Sequence, residues 1–198
     1  MAALEEIGAR YEAELIDVNG QQHRSPEYLR VNPSGLVPAL VTPDGVTLFE
    51  SAAILIYLGD RHPEANLAPP AADSLRPAYL QWMVFMAGTI STAYKRFHYP
   101  QRFSTDETDA GNVKARAVEN LLEAWRILDA ALAGCTWTLG DRYSACDIYM
   151  QMFASWFREP EDLTSRFTNV ARVARAAAAR PAVARAIERH ERQTDTPM

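Results

Sequence analysis

Residues 25–61, SPEYLRVNPSGLVPALVTPDGVTLFESAAILIYLGDR, decide the fold of the first third of the chain. Ser25 followed by a proline is typical of a helix start. Two short apolar runs are separated by the turn-forming residues Pro-Asp-Gly at 43–45, which predicts a β-hairpin. The apolar residues after Ser51 predict a helix with Ser51 as its N-cap, and a proline at position 63 ends it. The stretch therefore predicts a small domain that mixes helices and strands.

The residues before this stretch, MAALEEIGARYEAELIDV at positions 1–18, predict a short helix followed by a strand. The first residues are good helix formers, and Gly8 stands where a C-terminal glycine cap belongs. The apolar residues within 14–18 form a run of strand length. The helix has no N-cap residue and spans about two turns, so it is interpreted as the end of a longer helix.

Beyond the Pro- and Ala-rich residues 63–74, which are typical of a linker, the chain is predicted to be helical throughout. Ser144 and Asp147 form a variant of the capping box with the shorter acid. Apolar residues at three- and four-residue steps predict a helix over 106–132, and further helices are predicted over 75–97, from 144 onwards, 168–180 and 182–192. The expected organisation is an α/β domain over residues 1–66 and an all-α domain over residues 75–198.

The composition excludes several classes of protein. The 198 residues carry a net charge of −5, which gives no reason to expect a nucleic-acid partner. No apolar run approaches the ~20 residues that span a bilayer, and the N-terminus does not resemble a signal peptide, so we expect no membrane partner. Cys135 and Cys146 are too few for a disulfide framework, which favours a reduced, cytoplasmic environment. No His, Cys and Asp residues cluster at metal-ligand spacing, so no metal is expected.

The dipeptide Val37-Pro38, in the segment NPSGLVPAL, is the first candidate binding feature. Proline at the first residue of a strand needs no functional reason. The functional alternative is a cis peptide bond between Val37 and Pro38. It would turn the backbone N–H and C=O of Val37 outward, where they can pair with an extended peptide. The spacing alone leaves both interpretations open.

The pair Glu50-Ser51 is the second candidate. The free N–H groups of a first helical turn beside the Ser51 hydroxyl suit a carboxylate, with roughly 0.3–2 kcal/mol from the helix dipole. The negative charge of Glu50 would repel a plain anion, but it would hold the ammonium group of an α-amino acid. The alternative is an N-cap that an incidental acid precedes.

In combination these motifs resemble the glutathione transferase family, of the theta-, delta- or beta-like bacterial type. Residues 25–61 look like the family's thioredoxin-like domain. Residues 137–150, WTLGDRYSACDIYM, resemble the capping box of its all-α domain. The resemblance therefore implies a thioredoxin-like N-terminal domain with a C-terminal helical bundle.

The same resemblance implies a glutathione site. Glu50 and Ser51 match the family's glutathione-binding Glu/Gln-Ser pair, and Val37-Pro38 matches the residue before its cis-proline. In the theta- and delta-like branches a histidine in the position of His23 holds the glycine carboxylate of glutathione. Glutathione is thus the expected co-substrate of this chain.

The implied activity is that of a transferase, an enzyme of detoxification that joins the thiol of glutathione to a small electrophile and forms a homodimer. The wall of the acceptor pocket is assigned to Met86, Thr89, Ile90 and Tyr94, although plain bundle core is the simpler interpretation of these four residues. Family members begin with a strand and a loop that carries the Tyr, Ser or Cys acting on the glutathione sulfur. Residues 1–18 resemble only the end of the family's first helix and its second strand, so the expected domain lacks its first strand and no catalytic residue is named. The alternative function is a non-catalytic binding or dimerisation protein.

Overall fold

The computed structural model describes residues 1–157 and 160–194, and its contacts divide it into two compact units. Unit 1 comprises Met1–Ala68 together with the residues from Pro181 onwards, and unit 2 comprises Pro69–Arg180. The last helix belongs to unit 1 because it packs on the first helix. The domain boundaries expected from the sequence stay a prediction, and nothing in the sequence indicated this return of the chain end to unit 1.

The helices and strands are short in unit 1 and longer in unit 2. In chain order the elements are α1 (Ala2–Glu6), α2 (Pro26–Val31), β1 (Ala39–Val41), β2 (Thr47–Phe49), α3 (Ser51–Arg61), α4 (Arg76–Phe85), α5 (Ser91–His98), α6 (Ala110–Ala131), α7 (Ala145–Ala154), α8 (Pro160–Arg166), α9 (Thr168–Ala178) and α10 (Pro181–Thr194). The described sheet is a single antiparallel pair, β1 with β2, in which Ala39 lies opposite Phe49.

The hairpin and the start of α2 confirm the predictions from residues 25–61. The N–H of Gly45 donates to the carbonyl oxygen of Thr42 at 2.9 Å, and the φ of Gly45 is +83°, a value that favours glycine. The hydroxyl of Ser25 accepts a hydrogen bond from the N–H of Tyr28, so Ser25 caps α2 as expected. Local turn and cap chemistry is therefore sufficient to locate these elements.

The strand predicted within residues 14–18 is wrong. None of these residues pairs with a described strand, because the sheet among the described residues consists of β1 and β2 alone. Leu15 and Val18 are 38% and 36% exposed. A short apolar run indicates burial, but a strand also needs a neighbour with which to share its backbone hydrogen bonds.

Unit 2 is a helical bundle. The helix predicted over 75–97 is present as α4 and α5. A π-helical turn at Met86–Ile90 joins α4 to α5. The predicted capping box at the start of α7 is confirmed: Asp147 accepts a hydrogen bond from the N–H of Ser144 at 2.8 Å, and Ser144 accepts one in return from the first turn of α7. Asp147 is fully buried.

Two general features of the described residues bear on function. None of their helices is both long enough and apolar enough to cross a membrane. Their His, Cys, Asp and Glu side chains form no group of three or more with the spacing needed to hold a metal ion.

Candidate functional site

The hairpin register brings the two sequence motifs to the same place. Ala39 pairs with Phe49, so the next positions outward along the two strands are Pro38 and Glu50. Val37-Pro38 and Glu50-Ser51 are separated by a dozen residues along the chain, yet both stand at the open end of one hairpin. The Val37–Pro38 peptide bond is cis, as the functional interpretation of the sequence required.

Glu50 has an unusual backbone conformation at the start of α3. Its φ is +70° and its ψ is +115°, a region that non-glycine residues avoid at a cost of about 1–3 kcal/mol. The prediction that Ser51 is the N-cap is wrong: α3 begins at Ser51, and Glu50 is the N-cap, without a side-chain capping bond. The sequence did not reveal this, because a positive φ is expected at glycine and not at glutamate.

The side chains of Glu50 and Ser51 are left available by this arrangement. Within the described residues, neither the Glu50 carboxylate nor the Ser51 hydroxyl has a hydrogen-bond or ion-pair partner. Glu50 is exposed and Ser51 is half-buried. An acid and a hydroxyl therefore stand unpaired beside the N-terminus of an eleven-residue helix, whose dipole favours negative charge.

The loop that leads to Val37 is tied down by Asn32. The Asn32 side-chain oxygen accepts hydrogen bonds from the N–H of Ser34 at 3.0 Å and from its hydroxyl at 2.8 Å. The N–H of Gly35 donates to the Asn32 carbonyl at 2.9 Å, and Gly35 has a φ of +60°. Asn32 is 1% exposed, so these bonds are shielded from water.

The carbonyl oxygen of Leu36, one residue before Val37, accepts two hydrogen bonds. The Tyr28 hydroxyl donates one at 2.7 Å and the side-chain amide of Asn32 donates the other at 2.6 Å. Burial raises the pKa of Tyr28, which keeps its hydroxyl protonated as a donor. The sequence analysis did not predict a role for Tyr28 or Asn32. The available signal was their spacing of four residues, which places a tyrosine and an asparagine on one face of α2 and its end.

His23 lies in the short turn Gln22–Arg24, beside the same loop. A Cβ built on Gly35 would lie 3.1 Å from the carbonyl oxygen of His23, and Arg24 donates to the carbonyl of Ser34 at 3.4 Å. His23 is 5% exposed, and its Nδ1 has no hydrogen-bond partner among the described residues. The structure thus places His23 against the loop that ends at Val37, with one ring nitrogen unsatisfied.

The four residues assigned to an acceptor pocket do not share one environment. Met86 and Ile90 are fully buried and Tyr94 is 4% exposed, all within unit 2. The Tyr94 hydroxyl donates to the carbonyl of Phe153, and its ring stacks on the Phe153 ring. Thr89 is exposed and lines a groove of about 330 Å³ that is formed by the π-helical turn, α5 and α6. The pocket assignment stays a prediction.

A larger cleft, of about 670 Å³, lies elsewhere in unit 1. Its lining residues are Glu5, Leu15, Arg185, Arg189, Arg192 and Gln193. None of the residues at the open end of the hairpin contributes to it. Volume alone therefore does not identify the candidate site, which is recognised by its unpaired polar groups and its backbone geometry.

Comparison with known proteins gives a consistent result. Residues 1–61 match the family model described as glutathione S-transferase, N-terminal domain. The chain is similar to "Glutathione S-transferase GST-4.5" of Xanthomonas campestris pv. campestris, with 29% identity over 143 residues, which are 72% of this chain and 70% of that protein.

Solved structures agree. A glutathione transferase from Methylococcus capsulatus strain Bath is 32% identical, has a TM-score of 0.81, and is matched over 96% of this chain and 91% of its own. A glutathione S-transferase from a sphingomonad, solved in complex with glutathione, is 31% identical with a TM-score of 0.80, over 96% of this chain and 92% of its own.

Proposed function

Because the chain belongs to the glutathione transferase family, we propose that it binds glutathione at the open end of the β1–β2 hairpin and joins the glutathione thiol to a small electrophile. The observation that carries this proposal is that the side chains of Glu50 and Ser51 lack partners at the N-terminus of α3. Glu50 itself has a φ of +70°. Backbone strain of this kind persists where the surrounding structure fixes it, and it is concentrated at functional sites.

The γ-glutamyl end of glutathione carries both a carboxylate and an ammonium group, and the pair offers a complement to each. The Ser51 hydroxyl and the first N–H groups of α3 donate hydrogen bonds to the carboxylate. The carboxylate of Glu50 accepts from the ammonium group. Neither side chain has to break an existing bond in order to do so, since both lack partners within the described residues.

The rest of glutathione extends along the loop before Pro38. The backbone of Val37 pairs with the cysteinyl residue of the peptide as a short added strand. His23 contacts the glycine carboxylate in this proposal. Its Nδ1 is buried and has no hydrogen-bond partner among the described residues, which supports a polar ligand there once the ring turns toward the loop.

The chemical step requires the thiolate of glutathione. A free thiol has a pKa of about 8.5, so lowering it by two units corresponds to roughly 2.7 kcal/mol of preferential thiolate stabilisation. The thiol proton leaves to solvent, and the resulting thiolate attacks the electrophilic carbon. A carbon–sulfur bond forms, and the bond to the leaving group breaks with its electron pair, which from a chloronitroaromatic releases chloride. We assign no catalytic residue for this step among the described residues. Of the four residues predicted for the acceptor pocket, Met86, Thr89, Ile90 and Tyr94, only Thr89 is exposed and can contact an electrophile without a rearrangement of buried side chains.

Isothermal titration calorimetry with glutathione tests the binding site. We expect Ser51→Ala and Glu50→Ala each to weaken binding by about 1.5–3 kcal/mol, because charge-assisted hydrogen bonds are lost. Glu27→Ala is the matched control, since Glu27 is also an exposed acid at the start of a helix of unit 1. Equal affinity in all three variants and the wild type would remove the proposed site.

Turnover separates the enzyme from the non-catalytic alternative. A chloronitroaromatic electrophile that is consumed by the chain in the presence of glutathione, with loss of rate in Ser51→Ala, supports the transferase. Glutathione binding with no turnover of any electrophile class would indicate a binding or dimerisation protein instead.

A homodimer and a cytoplasmic location belong to the same proposal. Two apolar side chains one turn apart on α4, Leu80 and Val84, are 37% and 65% exposed, which supports a partner on this face. Sedimentation equilibrium at micromolar concentration should give twice the mass of the 22.1 kDa chain. A monomer at that concentration would contradict the dimer.

A further inference from the structure

The peptide group between Leu36 and Val37 is held from one side only. Its carbonyl oxygen, on Leu36, accepts hydrogen bonds from Tyr28 and Asn32, which are 8% and 1% exposed. A carbonyl oxygen has two lone pairs, so both of its acceptor positions are used. On the other side of the same group, the N–H of Val37 has no acceptor among the described residues.

The direction of that N–H follows from peptide geometry. The only cis peptide bond among the described residues is the next one, Val37–Pro38, so the Leu36–Val37 bond is trans. In a trans peptide the C=O and the N–H lie in one plane and point in opposite directions. Because two buried donors hold the Leu36 oxygen inward, the N–H of Val37 points away from them. Val37 itself is 48% exposed, so this direction leads out of the core.

We propose that Tyr28 and Asn32 are positioning residues for glutathione, which fix the Leu36–Val37 peptide plane so that the Val37 N–H meets the cysteinyl carbonyl of the ligand. This inference rests on the proposed function. Neither side chain needs to touch glutathione, because each acts through the carbonyl of Leu36.

Two donors constrain the plane more than one. A single hydrogen bond lets a peptide plane rock about the donor direction, whereas two donors from different directions oppose rotation. Asn32 is itself fixed, since its side-chain oxygen accepts from the N–H and the hydroxyl of Ser34. An N–H that is already oriented loses little conformational freedom when the ligand binds. The entropy cost of binding is therefore smaller, and the affinity is higher.

Tyr28→Phe is the test variant, because it removes the hydroxyl and keeps the ring. Tyr11→Phe is its matched control. Tyr11 is also in unit 1 and also donates a short hydrogen bond, at 2.8 Å to Glu5, away from the hairpin. We expect calorimetry to show glutathione binding about threefold to tenfold weaker in Tyr28→Phe, and unchanged in Tyr11→Phe, at similar melting temperatures.

The Val37 amide gives a readout that a loss of stability alone would not move. On saturation with glutathione, the proton shift of this amide should move downfield in the wild type and by clearly less in Tyr28→Phe. The response of the Ser51 amide should stay the same in both proteins, since it reports the γ-glutamyl end. Asn32→Asp keeps the acceptor for Ser34 but replaces the donor to Leu36, so it should weaken binding further if it folds; if it does not, Tyr28→Phe decides.

The possible failures are distinguishable. If Ser51→Ala weakens binding while Tyr28→Phe matches Tyr11→Phe in affinity and in the Val37 response, the positioning role is overturned and the site stands. If Ser51→Ala and Glu50→Ala bind glutathione as the wild type does, the proposed site fails, and the role of Tyr28 and Asn32 fails with it.

Discussion

Unit 2 contains eleven of the twelve largest fully buried side chains among the described residues, and unit 1 contains one, Leu67. The distribution of unusual backbone is the reverse. All three described non-glycine residues with positive φ, which are Gln21, Glu50 and Asn66, lie in unit 1, as does the cis Val37–Pro38 bond. Most of the large buried side chains and all of these unusual backbone conformations therefore lie in different units. The unit with the thinner core carries the candidate site.

This separation has a physical basis. A binding site needs polar groups that have no hydrogen-bond partner within the protein. Such groups must stay near the surface, so the residues that carry them contribute little to a buried apolar core. A helical bundle with its large side chains fully buried gains stability from packing alone. Four measurements, in order of decreasing effect, test whether the two units differ in this way.

Amide hydrogen exchange should show the largest difference. We expect fast exchange across residues 1–60 and strong protection across 106–157, with rates that differ by roughly a thousandfold or more, because unit 2 opens only with global unfolding. Mass spectrometry of peptides from both ranges measures this in one experiment. Protection of similar strength in the two ranges would show that the units unfold together and do not differ in stability.

Truncation of a buried aromatic side chain in unit 2 should have the second-largest effect. Phe153 is 1% exposed and contacts the rings of Tyr94, Tyr149 and Trp156. Phe153→Ala should lower the free energy of unfolding by about 3–5 kcal/mol, measured by urea denaturation.

The matched control is Phe103→Ala, at a phenylalanine of the same unit that is 42% exposed. It should cost under about 1 kcal/mol, because little apolar surface is lost from the interior. If both substitutions have the same cost, the burial of Phe153 is not what stabilises unit 2.

Relief of backbone strain at Glu50 is the third prediction. Glu50→Gly should raise the free energy of unfolding by about 1 kcal/mol, since glycine adopts positive φ without steric cost, while glutathione binding weakens. Glu27→Gly, in the first turn of α2, should instead lower it by about 0.5–1 kcal/mol, because glycine loses more entropy in a helix and the favourable negative charge at the helix start is lost. Thermal unfolding of the two variants gives the signs, and the same sign in both would argue against strain at Glu50.

The smallest effect concerns pH. Hydrogen bonds from Arg185 and Tyr11 hold the pKa of Glu5 below its ordinary value of 4.5. A carboxyl with a lowered folded pKa stabilises the fold above its unfolded pKa and loses that contribution as pH falls through the folded pKa. Wild type should therefore lose stability relative to Glu5→Gln as pH falls from about 5 to about 3, by under about 1 kcal/mol, because Arg185 is 56% exposed. Parallel pH profiles of melting temperature would contradict this.

The sequence predicted the features that depend on local chemistry. The glycine at position 45 required a turn, Ser25 required a helix start, and Ser144 with Asp147 required a capping box, and all three are present. The register of the hairpin also brings Val37-Pro38 and Glu50-Ser51 to one end of it, whereas their role as a binding site stays a prediction.

The errors arise where the outcome depends on distant partners. The apolar run at 14–18 has the composition of a strand, but pairing is non-local and the run finds no ladder among the described strands. The positive φ of Glu50 is imposed by its surroundings, and a glutamate in the sequence does not indicate it. The two bonds to the Leu36 carbonyl join residues four and eight positions apart, and the four-residue spacing of Tyr28 and Asn32 does not by itself indicate which group they contact.

The π-helical turn at Met86–Ile90 has a consequence for the evolution of this helix. A π turn takes one residue more than an α turn, so the side chains after it are rotated by about 100° relative to those of an unbroken helix. Tyr79 and Met83 before the turn and Ile90 and Tyr94 after it all face the interior in the present phase. Deletion of one residue within 86–90 would restore a regular helix and turn the second set outward. Relatives without the π turn should therefore align with this chain only through a single-residue gap at that point.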